Sequence, residues 1–450
     1  NLTGSKKAKM YETTLNVDID SNLDYQNNIG NKLYRDIDSS VTNVTINPGI
    51  TVEGTEDKQA GISQEGEYRT YLNLINNGTI NFSGKDTVGI YGKETNIVNN
   101  NLINLENSEN GIGLYGKLAN SSLARKNEIF NAGNIKIGKN GIGIYADTKR
   151  DYDYYTSSML VNNSGNITGA GDNAVGIYIN NVTNSSYVTS TLTLNSTSNI
   201  DVKNSKNGIG IYADTFGITG TNAGTITVGE NGVGVYVKNG TTTLNNLTLN
   251  LHGDNTVGIY TDGTNSFTGN GTVNVDGKGV VVFNVLGSGA FNQNFNITST
   301  SGSSYTLANI KDTTLYSNSN SNLAENGIFI NGNNSAVLLG LNSNLSSTGA
   351  NIAGIALNGA YSGGIPVTIN GEILNQEATN QGIMSFGDNS TGIYVVNGAS
   401  AENQGTITLG DNSVGIYGKG IGTGVSNISE INIGGNSVGL FLQDGKGITN

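Results

Sequence analysis

Tyrosines return along this chain at Tyr91, Tyr115, Tyr145, Tyr178, Tyr212, Tyr236 and Tyr260, then at Tyr394 and Tyr417, with Phe441 in the next such place. A flat ring with a hydroxyl can stack on other rings, on a sugar face or on a partner's surface. Recurrence favours a structural aromatic ladder, in which rings on neighbouring strands stack and cover adjacent glycines. A platform for sugars or for a partner's edge is the second reading of the same rings. A denser cluster stands in ADTKRDYDYYTSSM (146–159): Lys149, Arg150, Asp151, Tyr152, Asp153, Tyr154 and Tyr155. Loops on regular scaffolds carry recognition, and Tyr and Arg anchor interfaces. This loop is the first candidate for binding, against the plainer reading of a solvated loop or a strand extension.

Other chemistry finds less footing. Asp86, Asp172, Asp254, Asp388 and Asp411 recur about once per repeat. Calcium takes six to eight oxygens, and the glycine-rich calcium-roll repeat is absent. These aspartates read as turn residues, and neither a metal nor a cofactor is expected. His252 is the single histidine, so a catalytic triad would have to use it; a surface role is expected. The repeated acids are too periodic to form one carboxylate pair of a glycosidase. The chain is expected not to be an enzyme.

What positions these residues is a phrase, seen as GKDTVGIYG (84–92), GKNGIGIYA (138–146), GDNAVGIYI (171–179) and GDNSVGIYG (410–418). Its inner glycines, Gly89, Gly113, Gly143, Gly176, Gly210, Gly234 and Gly258, are 24, 30, 33, 34, 24 and 24 residues apart. The unit is therefore 24 residues, sometimes with insertions. A second phrase precedes it: NNGTINFSG (76–84), NAGNIKIG (131–138), NAGTITVG (222–229) and NQGTITLG (403–410). Within it, Ile135 and Ile137, Ile226 and Val228, or Ile407 and Leu409 alternate with polar residues, the mark of a strand buried on one face. A Gly-Asp-Asn turn links the two phrases, and a less regular third strand, such as TTTLNNLTLNL (241–251), completes the unit.

A short repeat of strands that cannot bury its apolar face alone predicts a stacked solenoid. The expected fold is all-β, a parallel β-helix with three strands per rung of about 24 residues. About 15 rungs at roughly 4.8 Å each would make a rod of roughly 70 Å. Alternation in Val88-Gly89-Ile90-Tyr91 predicts Val88 and Ile90 toward the core, with Gly89 and Tyr91 outward. The expected divisions are an N-terminal cap or edge of a preceding domain (1–74), a regular helix with loop insertions (75–283), irregular rungs or a side lobe (284–380), and a regular helix that continues (381–450).

Composition agrees. There are 65 glycines and 2 prolines among 450 residues, and 13% of residues are charged. Few prolines suit strands that all donate to neighbours. No cysteine occurs, which excludes thiol chemistry and fits export in unfolded form through an oxidising compartment. A formal charge of −12 argues against nucleic acid and against anionic membrane as partners. No apolar run is long enough for a membrane helix, so no membrane insertion of this segment is expected. NLTGSKKAKMY at the start has no signal-peptide core, and both ends read as cut from something larger.

The NxGxIxIG…GDNSVGIY unit resembles the passenger repeats of large type V (Va) autotransporter adhesins, especially the fusobacterial RadD-like family, over roughly residues 75–450. The resemblance implies a right-handed β-helix displayed on the bacterial surface and anchored in the outer membrane through a C-terminal barrel that this sequence lacks. It implies adhesion, as a monomeric rod, to a host-cell surface protein or glycan, or to other bacteria in coaggregation. No binding residue can be carried over. A polysaccharide-degrading β-helix or tailspike, and a pure spacer within a larger adhesin, are the alternatives.

Overall fold

Strands form here from four-residue stretches because each pairs on both edges. In Asn134–Ile137, Ile135 and Ile137 are fully buried while Asn134 and Lys136 face water. The computed structural model describes residues 9–10, 16–19, 23–24, 43–65, 72–118, 126–148, 157–180, 188–214, 217–323 and 327–450. Among them there is no helix. The fold is an all-β parallel β-helix with three strands per rung. One rung consists of Asn96–Asn99, Leu102–Leu105 and Ile112–Lys117. These pair in parallel with Lys126–Asn131, Asn134–Ile137 and Ile142–Asp147 of the next rung. Below, the strands of a rung are called first, second and third in this order.

The chain forms two compact units, Asn1–Tyr236 and Val237–Asn450. The division falls inside the stretch 75–283 that reads as one regular run in the sequence. In the first unit the coil already runs through part of 1–74. Asn43–Ile46, Thr51–Gly54 and Ala60–Glu65 pair in parallel with Asn73–Asn76, Thr79–Phe82 and Val88–Lys93.

In the second unit, parallel register persists where the sequence phrase is lost. Val280–Leu286 pairs with Tyr305–Lys311, then Gly327–Asn333, Ile352–Asn358 and Thr391–Val396 follow in turn. Buried phenylalanines fill the core there: Phe267 stacks on Phe291 at 4.3 Å, and Phe283 lies against both Phe291 and Phe295. The stretch 284–380 also carries a side element. Val367–Ile369 and Glu372–Leu374 form an antiparallel hairpin. Its Val367, Ile369 and Leu374 cover Ala336 and Leu338.

The facing predicted for the Val-Gly-Ile-Tyr strand is corrected at two residues, Val88 and Gly89. Ile90 is buried and Tyr91 half-buried, but Val88 is also half-exposed and Gly89 is buried. The ladder pairs Val88 with Ile112, Ile90 with Leu114 and Tyr91 with Tyr115, skipping the glycine. The strand therefore kinks at Gly89, as at a bulge, and turns two consecutive residues inward. A Cβ on Gly89 would stand 2.5 Å from the carbonyl oxygen of Gly113 and 2.7 Å from Ile103 Cγ2. The next rung's isoleucine occupies the space a side chain would need.

Candidate binding surface

The tyrosines stand on third strands, in register from rung to rung. In the first unit, ring centroids are 5.1 Å apart for Tyr91–Tyr115, 4.7 Å for Tyr115–Tyr145, 5.2 Å for Tyr145–Tyr178, 4.8 Å for Tyr178–Tyr212 and 4.9 Å for Tyr212–Tyr236. Edge-on and stacked pairs alternate, from 67° to 17°, 78°, 7° and 89°. Both arrangements suit the ring quadrupole. In the second unit the same register position reads Tyr260, Asn284, Asn309, Asn331, Ala356, Tyr394, Tyr417 and Phe441. Tyr394, Tyr417 and Phe441 stack at 5.0 and 5.1 Å.

Packing ring on ring withdraws the hydroxyls from water. Burial, then the charge of Asp147, raises the Tyr115 phenol well above its ordinary value. Tyr145 and Tyr178 are raised too, first by burial and then by Asp147 and Asp214 respectively. The folded state thus holds these protons more tightly than the unfolded chain does. That stability is fully present below the ordinary tyrosine value of about 10 and is lost as pH rises through the raised folded values. We expect the urea midpoint of the first unit to fall above about pH 10, with delayed ultraviolet ionisation of these tyrosines. Ionisation of all of them at the free-tyrosine value would contradict this.

Rung insertions concentrate at one corner, between a third strand and the next first strand. The chain leaves third strands at Lys117, Asp147 and Asn180 and returns at Lys126, Ser157 and Val188. The bases of these excursions are tied together. Leu118 N–H donates to Asp147 O at 2.9 Å, and Thr148 N–H and Oγ1 donate to Asn180 O at 3.0 Å. The buried Asp147 also accepts from Tyr115 Oη at 3.5 Å and lies 3.6 Å from Lys117 Nζ. The recognition candidates Lys149, Arg150, Asp151, Tyr152, Asp153, Tyr154 and Tyr155 lie outside the described residues. What is described is their anchorage, on the strand that carries Tyr145. The second unit's hairpin leaves from the same kind of corner, between Asn358 and Ala378.

The turn aspartates have structural employment. Asp388 Oδ1 accepts from Asp411 N–H at 2.8 Å, Asp411 Oδ1 from Gly435 N–H at 2.6 Å and Asp254 Oδ1 from Lys278 N–H at 2.8 Å. Each carboxylate caps the turn of the rung that follows. Among the described residues no group of three or more His, Asp or Glu is placed to hold a metal. His252 pairs through Nδ1 with Asp276 on the surface.

Two asparagine columns carry more of the structure than the sequence reading assigned to them. The turn residues Asn110, Asn140, Asn173 and Asn207 sit at φ between 54° and 58°, and each donates to the rung below at 2.8 to 3.1 Å. The other column is inside. Asn76 donates to Asn99, Asn99 to Asn131 and Asn131 to Asn163, each at 2.8 Å, and all four are fully buried. Asn380, Asn403 and Asn427 repeat it in the second unit. The signal was present: Asn76 follows Leu74 by two residues, so alternation turns both inward. Comparison of the chain with family models, curated proteins and solved structures returned no match.

Proposed function

We propose that this chain is a non-enzymatic adhesin segment, a β-helical scaffold that presents binding loops at the bacterial surface to a host-cell protein or glycan, or to other bacteria. The observation that carries the reading is the shared corner. Three consecutive rungs send out their long insertions from bases hydrogen-bonded one to the next. Successive loops are thereby anchored roughly 4.8 Å apart beside a column of tyrosines. Loops held by a rigid scaffold, rich in Tyr and Arg, are where recognition concentrates. The autotransporter resemblance supplies the surface location, and many displayed copies would add avidity.

The test replaces residues 149–156 by a short Gly-Ser link in the whole chain. Binding of chain-coated beads to epithelial cells and to partner bacteria should fall at least about tenfold, equivalent to about 1.4 kcal/mol. The urea midpoint should stay unchanged, because the excised residues lie beyond the pinned bases. Undiminished binding would remove this loop as the carrier, and undiminished binding without the chain would leave a spacer.

A further inference from the structure

The ring column of the second unit is interrupted, and a cavity occupies the interruption. Between Tyr260 and Tyr394 the outward register position holds Asn284, Asn309, Asn331 and Ala356. At the Ala356 end lies a half-open cavity of about 370 Å³, bordered by Ile328, Asn331, Ala356, Asn358, Thr391 and Tyr394. One face of Tyr394 stacks on Tyr417, with the rings 6° from parallel. Another side of Tyr394 borders the cavity, and the residue is 38% exposed. At Tyr417 and Phe441 a ring of the preceding rung covers that side; here Ala356 offers a methyl group.

The slot has a definite chemistry. Rings in this column repeat at about 5 Å, so a flat ring at the level of Ala356 would meet Tyr394 at stacking distance. The rim is polar. Asn331 Nδ2 donates to Asn309 Oδ1 at 3.5 Å, a long hydrogen bond that leaves the amide a second N–H and its carbonyl oxygen. Asn358 donates to Asn333 at 3.2 Å and accepts from Asn397 at 2.7 Å, which leaves it one N–H and one lone pair. No charged side chain lines the cavity, so neither an anion nor a cation finds a counter-charge.

The geometry points to this cavity as a binding site for a neutral pyranose ring. One C–H face of the sugar stacks on Tyr394 above Ala356. Its hydroxyls pair with Asn331, Asn358 and the Thr391 hydroxyl. A bare aromatic side chain would fill the same slot but would gain no hydrogen bond from the exposed rim amides, which would stay with water. The volume stands near the lower end of the usual range for ligand sites, roughly 300–1,000 Å³. The site draws on second-unit residues alone and does not depend on the corner loops.

Saturation-transfer NMR of the whole chain with methyl pyranosides of glucose, galactose, mannose and N-acetylhexosamines tests it. N-acetyltyrosinamide serves as the aromatic comparison. At least one neutral pyranoside should bind through its ring C–H protons. Ala356→Tyr, which extends the Tyr394 stack by one ring into the slot, should weaken that binding at least about tenfold while circular dichroism stays unchanged. Tyr394→Ala should weaken it as well, so that a folding defect in one variant leaves the other decisive. Absence of binding by every pyranoside, equal binding by Ala356→Tyr, or preference for N-acetyltyrosinamide would each overturn the assignment. Because corner-loop deletion is read on cells and this site on free sugars, the two proposals fail separately.

Discussion

Asn131→Ala should destabilise the first unit by about 4 kcal/mol, while Asn166→Ala should cost below about 0.5 kcal/mol. The two residues make ladder hydrogen bonds of the same length, 2.8 Å, from Asn131 Nδ2 to Asn163 Oδ1 and from Asn166 Nδ2 to Asn134 Oδ1. They differ in burial: Asn131 is wholly inside and Asn166 is exposed. Truncating Asn131 strands the Nδ2 of Asn99, which donates to it, and the Oδ1 of Asn163, which accepts from it. Each stranded buried group costs about 1–3 kcal/mol, and both lie away from bulk water. At Asn166 water replaces the lost partner. Urea unfolding measures the difference, and amide exchange should show protection lost first in the rungs of Asn99, Asn131 and Asn163. Equal costs for the two variants would show that burial does not set the worth of these ladders.

The contrast also explains how much could be read from sequence. Ile135, Ile137, Ile226, Val228 and Ile407 are all fully buried, because alternation reports a face directly and stacking only repeats it. Register survived even where the phrase vanished. At the inner-glycine position, Val282, Leu307 and Phe329 stand in successive rungs, skipped by the ladder as the glycines are. At the second-strand position filled by isoleucine elsewhere, Ser321 stands in the rung after Leu307. At Leu307 and Ser321 large and small have exchanged places, while Ile297 and Leu345 keep the second-strand position apolar beside Val282 and Phe329, so a motif search loses the repeat while the register keeps it. What alternation could not deliver was the inward glycine, since a period of two assumes a strand without a kink. Nor could it deliver the interruption at Asn331 and Ala356, which becomes visible only when rungs are laid in register and the missing rings leave a space. The Tyr-rich loop was visible as a break in period, and its anchorage at a shared corner is the structural addition.

The inner glycine gives the second large effect. Gly143→Ala should cost about 3 kcal/mol. The new Cβ would stand 2.5 Å from the carbonyl oxygen of Gly176 and 2.5 Å from Ile167 Cγ2. A side-chain collision alone could be relieved by trimming. Ile167→Ala removes the colliding methyl, itself at a cost of about 2–5 kcal/mol, but it leaves the carbonyl in place. The double variant should therefore remain less stable than Ile167→Ala by more than about 1 kcal/mol. Urea midpoints of the four proteins decide the matter. If Ile167→Ala fully rescued Gly143→Ala, the constraint would lie in side-chain packing. Failure of rescue places it in the backbone approach of one rung to the next, the contact that Gly143 makes with the Gly176 carbonyl.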